Sequence, residues 1–146
     1  ALLHDIGITI NFYSHARHGA YMIQNAKLFG LTHKEKLVTS AIAGWHNGVS
    51  KSYFFRDQLF TSMLTPKNWD TVNKLALILA LAESLDYTQS SLLQIKSATV
   101  NKTGANLLLH ADGTPAIEMH QIRTHLKWFA KTFGVPLNIS LVEEKE

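Results

Sequence analysis

Two adjacent residues, His4 and Asp5, are the part of this sequence best suited to chemistry. They lie in segment 2–7 (LLHDIG), which is typical of the inside of an amphipathic helix. Here a carboxylate that contributes charge and an imidazole that contributes a directional nitrogen can reach one cation. The alternative is an interior pair satisfied by hydrogen bonds without metal, because such groups are costly to bury unpartnered. The pair alone leaves both interpretations open.

Other histidines and an aspartate lie near the ends of predicted helices. His15 and His18 are three residues apart, so they share a face if their helix has begun. Helix ends that converge at one pole of a bundle build ligand sites, although a surface or capping role is the alternative for each histidine. The candidate ligands of a divalent metal (Mg, Mn, Fe or Zn) are His4, Asp5, His18, His46 and Asp86. The histidines expected to take no part are His33, His110, His120 and His125.

Composition indicates a folded protein with one core. The 146 residues are 46% hydrophobic, and a chain of this length buries roughly 68–70% of its unfolded surface. The absence of cysteine excludes disulfides, Cys-ligated zinc and thiol catalysis, and it fits a reducing cytoplasm. The longest nearly apolar stretch, 75–82, is far shorter than the roughly 20 residues of a membrane helix. No secretion signal is visible, so we predict a cytoplasmic protein with no membrane partner.

The charge balance indicates a mild preference for anionic partners. Lys and Arg number 14 and Asp and Glu number 11, a formal net charge of +3. Eight histidines add positive charge if the pH falls. No run of basic residues resembles a nucleic-acid arm, so no nucleic-acid partner is predicted.

The elements that would position these residues are helices over the first 92 residues. Capping residues, hydrophobic periodicity and helix-breaking residues predict five helices. The first covers 1–6, the second runs from an N-cap at Ser14 to about Phe29, and the third runs from a T-x-x-E capping box at 32–35 to about 46–48. The fourth covers about 54–63, and the fifth runs from Asn68 or Asp70 through Ala82. Thr65-Pro66 is expected to end the helix at about 54–63, before the last helix begins. No N-cap residue precedes Ala1, so we expect a fragment whose first helix has been removed.

After Ser91 the pattern changes. Strands are predicted at 95–100, 106–110 and 135–142, and a helix with its N-cap at Thr114 runs to Gly134. The predicted fold class is mainly α: a helical bundle over residues 1–92, followed by a small β-β-α-β (α+β) subdomain over residues 93–146.

The order His-Asp, His, His, Asp across helices resembles the HD superfamily, whose members are mostly metal-dependent phosphohydrolases. The resemblance implies that the bundle is HD-domain-like. In that superfamily the first metal ligand is a histidine on a helix upstream of the His-Asp pair. This sequence begins too late to include it, so the resemblance implies a metal site that lacks one imidazole.

One branch of the HD superfamily shows a closer resemblance, which covers essentially the whole chain, including the β-β-α-β tail. The C-terminal domain of the exopolyphosphatase / guanosine pentaphosphate phosphohydrolase (Ppx/GppA) family resembles the segments ALLHDIGITINFYSHARHGAYMI, FGLTHKE, AIAGWH, ALAESLD and FAKTFGVPLNI. In that family the phosphatase site lies in two N-terminal actin-like lobes, and none of their phosphate-binding loops occurs here. The resemblance therefore implies an accessory domain, inactive alone, that assists binding of polyphosphate or guanosine pentaphosphate, or dimerisation. The residues that would line a groove for such a polyanion are Arg17, Lys51, Arg56 and Lys67.

Two alternatives remain open. His18-Gly19-Ala20-Tyr21 together with AIAGWH also resembles the HD-type dinucleoside tetraphosphate hydrolases, which would make the chain a metal-dependent phosphohydrolase acting on a nucleotide or dinucleoside polyphosphate. The other alternative is a non-catalytic homodimerisation module, because aromatic residues concentrate at interface cores. The aromatic residues concerned, for which packing inside the bundle is the alternative, are Trp45, Tyr53, Phe54, Phe55 and Phe60.

Overall fold

The computed structural model describes residues 1–142. The chain divides into two compact units, one spanning Ala1–Leu79 and the other beginning at Ala80. The division falls inside one long helix. The predicted domain boundary at residue 92 stays a prediction.

The first unit is helical. It contains a short 3-10 helix at Ile6–Thr9, α1 at His15–Asn25, α2 at His33–Trp45, α3 at Lys51–Phe55, α4 at Gln58–Met63, and most of α5, which spans Pro66–Leu85. Its core is built around four buried side chains that are at most 2% exposed: Leu37, Phe54, Phe60 and Val72. Partly buried Val38, Ile42 and Trp45 pack against this core, as the helical spacing of the three residues predicts.

Caps set where two of these helices begin. Thr32 Oγ1 accepts from the Glu35 backbone N–H at 3.2 Å, and Glu35 Oε2 accepts from the Thr32 backbone N–H at 2.8 Å, so the predicted capping box is confirmed. A similar reciprocal pair joins Thr65 and Asn68, with Asn68 Oδ1 accepting from the Thr65 backbone N–H at 3.0 Å. Helix α5 therefore begins at Pro66, earlier than predicted, because proline fits the first helical position.

Three predictions in this unit are wrong in detail. Residues 2–5 form a turn that leads into the 3-10 helix at Ile6–Thr9, in place of the regular helix predicted at 1–6. Helix α1 ends at Asn25 rather than near Phe29, because Ala26 is already extended at ψ 150°. Ser14 precedes α1 as predicted, but its backbone is left-handed (φ 59°) and its side chain makes no capping hydrogen bond.

The aromatic segment also differs from the prediction of one helix at 54–63. Asp57 lies between α3 and α4 with an extended backbone (φ −93°, ψ 119°), which interrupts the helix. Its Oδ1 accepts from the Leu59 backbone N–H at 2.9 Å, so Asp57 is the N-cap of α4.

The second unit contains the end of α5 and a three-stranded sheet. Its further elements are β1 at Leu93–Asn101, β2 at Gly104–Ala111, α6 at Ala116–Phe133 and β3 at Leu137–Val142. Strand β1 pairs antiparallel with β2, and α6 connects β2 to β3, which pair in parallel. The β-β-α-β order is as predicted, and the protein is α-rich with a small β part. Leu109 and Ile122, both at most 1% exposed, are buried in this unit.

Candidate functional site

Gly7 determines where the His4–Asp5 turn meets helix α1. A Cβ atom at position 7 would overlap the carbonyl oxygen of His15 and the backbone nitrogen of Gly19. The backbone of the turn therefore lies directly on the first turns of α1. This contact places Asp5, two residues before Gly7, beside the start of that helix.

Asp5 lies between two imidazoles. Its Oδ2 is 3.4 Å from His4 Nε2, and its Oδ1 is 3.4 Å from His15 Nε2. The Asp5 side chain is about one third exposed (34%), whereas the His15 side chain is only 14% exposed. The carboxylate is thus shared between a turn residue and the first residue of α1.

His46 adds a third imidazole. It is the C-cap of α2, only 3% of it is exposed, and its ring centroid is 5.3 Å from that of His4 at an interplanar angle of 71°. The next residue, Asn47, places its Nδ2 3.2 Å from His15 Nε2. The end of α2 therefore contacts both of the imidazoles that flank Asp5.

The three histidines are held in the same way. Each places Nδ1 next to a main-chain carbonyl oxygen of a residue three positions earlier; the acceptors for His4, His15 and His46 are Ala1 (2.7 Å), Phe12 (3.0 Å) and Ala43 (2.6 Å). Since a carbonyl oxygen only accepts, Nδ1 must carry the hydrogen, and in the neutral ring Nε2 then carries the lone pair. Backbone carbonyls orient metal-binding histidines in this way.

The predicted metal ligands are only partly brought together. His4, Asp5 and His46 lie together, but among the described residues no hydrogen bond, ion pair or ring contact joins His18 to them. Asp86 lies in the second unit, where its Oδ1 accepts from the Ser91 backbone N–H at 2.8 Å. The histidine beside Asp5 is His15 rather than His18. The sequence placed both histidines on one face of α1, and the contact at Gly7 is what brings His15 to Asp5.

An apolar pocket of about 390 Å³ opens beside His4. Its other lining residues include Leu3, Ile23, Ile42 and Leu79. The imidazole is therefore reachable from a cavity rather than sealed in the core.

A second feature is a group of cations around helix α3. The Arg17 guanidinium lies 5.6 Å from the ring centroid of Tyr53, and Lys51 Nζ lies 4.8 Å from the ring centroid of Phe55. Arg56 is the C-cap of α3. All three side chains are exposed, and the rings hold two of them in place by cation–π attraction. Three of the four cations predicted to bind a polyanion thus surround one short helix.

Lys67, the fourth predicted cation, lies in the first turn of α5 and is exposed. It precedes Trp69 by two residues, and the Trp69 ring centroid is 5.7 Å from Lys51 Nζ.

The aromatic residues expected at a dimer surface are mostly in the core. Phe54 is 1% exposed and Phe60 is 2% exposed, with ring centroids 5.1 Å apart. Trp45 and Tyr53 are partly buried against them. Only Phe55 of this group is substantially exposed, at 45%, because it lies on the outer side of α3 and stacks on Trp69 at 4.9 Å.

An open cleft of about 650 Å³ adjoins these cations. One side is helix α1, with Tyr21, Gln24 and Asn25; the other is the α3–α4 segment, with Tyr53, Phe54, Arg56, Asp57, Gln58 and Phe60. Gln24 Nε2 donates to Asp57 Oδ2 at 2.7 Å across the cleft. Sequence reasoning missed this cleft, because it is formed by two helices that are about 30 residues apart in the chain.

Within residues 1–142, no helix has the length and apolar character needed to cross a membrane.

Comparison with known proteins gives two findings. A family model described as Ppx/GppA phosphatase, domain III, matches residues 1–135. A curated relative from Pseudoalteromonas translucida (strain TAC 125), named guanosine-5'-triphosphate,3'-diphosphate pyrophosphatase, is 26% identical over 122 residues. The matched region covers 83% of this chain and 24% of that relative. The chain therefore spans about a quarter of the relative's length.

Proposed function

The chain belongs to the Ppx/GppA phosphatase family, as its domain III, and from this premise we propose that it is an accessory domain that binds a phosphate chain. The ligand would be the phosphate chain of polyphosphate or of guanosine pentaphosphate. Cleavage would take place in actin-like lobes elsewhere in the parent protein.

The observation that carries this proposal is the arrangement of cations around α3. Arg17 and Lys51 are exposed yet fixed against Tyr53 and Phe55, at 5.6 Å and 4.8 Å from the ring centroids. Fixed cations lose less side-chain freedom when they bind phosphate oxygens. Arginine can bind these oxygens through two N–H groups, whereas lysine acts as a point charge.

The test is calorimetry with long-chain polyphosphate at about 20 mM and about 300 mM salt, a range over which the screening length falls severalfold. We expect binding at low salt that weakens at high salt. The triple variant Arg17→Gln, Lys51→Gln, Arg56→Gln should bind at least tenfold more weakly. Lys34→Gln, an exposed lysine on α2, is the matched control and should change little. No binding at low salt, or equal binding by the triple variant, would contradict the proposal.

A second candidate function is supported by the histidine cluster. It is a metal-dependent phosphohydrolase with an HD-like site, in which His4 and His46 would be ligands of a divalent cation. Imidazole nitrogens are suitable ligands for Zn, Mn or Fe. A bound cation would lower the pKa of its water and so supply a hydroxide nucleophile at neutral pH.

Elemental analysis of protein purified without chelator tests this candidate. Near-stoichiometric Mn, Fe or Zn that is lost in His4→Gln but kept in His18→Gln would support it. The His18 variant is the matched control because it changes the same residue type at a position outside this pair of histidines. Less than about a tenth of an equivalent of metal would count against the site.

A further inference from the structure

We propose that the loop between α1 and α2, residues 26–32, binds the surface of an anionic lipid bilayer. In this arrangement Phe29 and Leu31 enter the boundary between headgroups and acyl chains. Lys27 in the loop and Lys34 just after it contact lipid phosphates. The inference is independent of the phosphate-chain proposal, because neither lysine belongs to the cations around α3. The prediction of no membrane partner rests on the lack of a stretch long enough to span a bilayer, which a surface loop does not need.

The tip of this loop holds an aromatic ring out in water. Phe29 is 96% exposed, more than any other phenylalanine among residues 1–142. Gly30 follows with a left-handed backbone (φ 83°), and a Cβ atom there would have nothing within 4 Å, so the chain turns in open solvent. Leu31, which is 41% exposed, comes directly after the turn. Two apolar side chains exposed in this way are stabilised by moving into an apolar medium.

Hydrogen bonds fix both ends of the loop. At its start, the Ala26 carbonyl oxygen accepts from Lys36 Nζ at 3.1 Å. At its end, the capping box of Thr32 and Glu35 begins α2. The exposure of Phe29 is therefore a property of a loop that is held in shape, so binding does not have to order it first.

The charges around the tip favour an anionic surface. Lys27, His33 and Lys34 are all exposed. Glu35 has the one carboxylate in residues 25–36, and this group accepts from the Thr32 backbone N–H at 2.8 Å and from the Thr32 hydroxyl at 2.7 Å. Because the carboxylate is engaged at the start of α2, positive charge predominates beside the apolar tip. Basic residues next to inserted apolar side chains are typical of segments that bind anionic membranes.

A hollow of about 300 Å³ within the loop supports a lipid rather than a free phosphate chain as the ligand. Its lining combines apolar side chains with cations, namely Leu28, Phe29 and Leu31 with Lys27, His33 and Lys36. A lipid phosphate can contact the cations while the adjoining acyl chain lies against the apolar side chains. A free phosphate chain has no apolar part for those side chains to bind.

Co-sedimentation with vesicles tests the inference. Vesicles of phosphatidylcholine alone are compared with vesicles that also contain about 30% phosphatidylglycerol, at about 50 mM salt. We expect at least tenfold tighter binding to the anionic vesicles. The double variant Phe29→Ser, Leu31→Ser should weaken that binding at least fivefold, because it removes the inserted side chains. The double variant Lys27→Gln, Lys34→Gln should weaken it by a similar factor.

Two controls are matched to these variants. Phe12→Ser removes a ring that is 68% exposed on the segment before α1, and it should leave vesicle binding unchanged. The triple variant Arg17→Gln, Lys51→Gln, Arg56→Gln removes more positive charge, all of it outside the loop, and should keep vesicle binding within about twofold of the wild type. Circular dichroism would verify that each variant is folded.

Each contrary outcome identifies what binds instead. No binding to anionic vesicles, equal binding to both kinds of vesicle, or binding that the loop variants leave intact would overturn the inference. Loss of binding in the triple variant alone would assign the lipid contact to the cations around α3 and would also overturn it. Sedimentation without vesicles tests a second copy as the occupant: a dimer that dissociates when Phe29 and Leu31 are replaced would make the loop a contact between copies and overturn the lipid site.

Discussion

Gly7 lies so close to His15 that a Cβ atom at position 7 would overlap the His15 carbonyl oxygen. Gly19, one turn further along α1, is part of the same backbone contact, because a Cβ there would lie 3.4 Å from the backbone nitrogen of Gly7. The turn that carries His4 and Asp5 therefore lies on the N-terminal half of α1. Asp5 reaches His15 for this reason, and the histidine cluster depends on a contact between two stretches of backbone.

Replacing Gly7 with alanine should destabilise the protein strongly. The atoms that the new Cβ would meet belong to the backbone of α1, so relief requires the turn or the helix to move. Overpacking of this kind typically costs about 1–3 kcal/mol, and sometimes more. Urea unfolding followed by circular dichroism measures the loss.

Gly19→Ala is the matched control. Its nearest contacts, at 3.4 Å, are ordinary van der Waals distances, and alanine is favoured over glycine inside a helix by roughly 1 kcal/mol. We expect its free energy of unfolding to stay within about 1 kcal/mol of the wild type. Equal losses for Gly7→Ala and Gly19→Ala would contradict the close contact at position 7.

Features encoded by neighbouring residues could be predicted from the sequence. The capping box of Thr32 and Glu35 and the β-β-α-β order depend on local spacing, and the structure confirms them. Features that depend on distant residues could not be predicted. The choice of His15 over His18 follows from the Gly7 contact, and the cleft follows from the Gln24–Asp57 hydrogen bond across 33 positions.

The capping box offers a local test of stability. Thr32→Ala removes the acceptor for the Glu35 backbone N–H and should lower the free energy of unfolding by about 1 kcal/mol. Thr71→Ala is the control, because the exposed Thr71 hydroxyl donates to the Lys67 carbonyl oxygen within α5, at 3.1 Å. That change should be neutral or slightly stabilising, since alanine is the better helix former. A Thr71 loss as large as the Thr32 loss would argue against a specific cap.

Truncation of two neighbouring phenylalanines should lower the free energy of unfolding by very different amounts. Phe54 is 1% exposed in the centre of the first unit, so Phe54→Ala should lower the free energy of unfolding by about 3–5 kcal/mol. Phe55 is 45% exposed, so Phe55→Ala should lower it by about 1 kcal/mol or less. Thermal or urea unfolding of both variants measures the difference. Similar losses would contradict the burial of one ring and the exposure of the other.

Phe55 also allows the homodimer expected from the sequence to be tested without disturbing the core. If the exposed ring of Phe55 lies in a dimer interface, Phe55→Ser should raise the dimer dissociation constant at least tenfold with the circular dichroism spectrum unchanged. Sedimentation at micromolar concentration measures this change. A dimer that is unaffected by Phe55→Ser would place the interface away from the aromatic residues around α3.

In the second unit, the Glu118 side chain accepts hydrogen bonds from the loop that follows α5. Only 1% of Glu118 is exposed, and its Oε1 accepts from the Thr88 hydroxyl at 2.5 Å and from the Thr88 backbone N–H at 3.3 Å. The hydrogen bond from the Thr88 hydroxyl is the main reason that the pKa of Glu118 lies below its ordinary value of 4.5. The ionised form is thus the one that the folded state favours.

Stability should therefore fall in acid partly through Glu118. Because the pKa of Glu118 is lowered on folding, its contribution is fully present above about pH 4.5 and is lost as the pH falls through the folded-state pKa. Thermal unfolding between about pH 7 and pH 3 should show a smaller decrease in Tm for Glu118→Gln than for the wild type, because the amide does not titrate. Asp112→Asn, in the exposed turn after β2, is the matched control and should keep the wild-type decrease. If Glu118→Gln lost as much stability in acid as the wild type, the Thr88 hydrogen bond would not favour the charged form, and the loop after α5 would have to be held by other contacts.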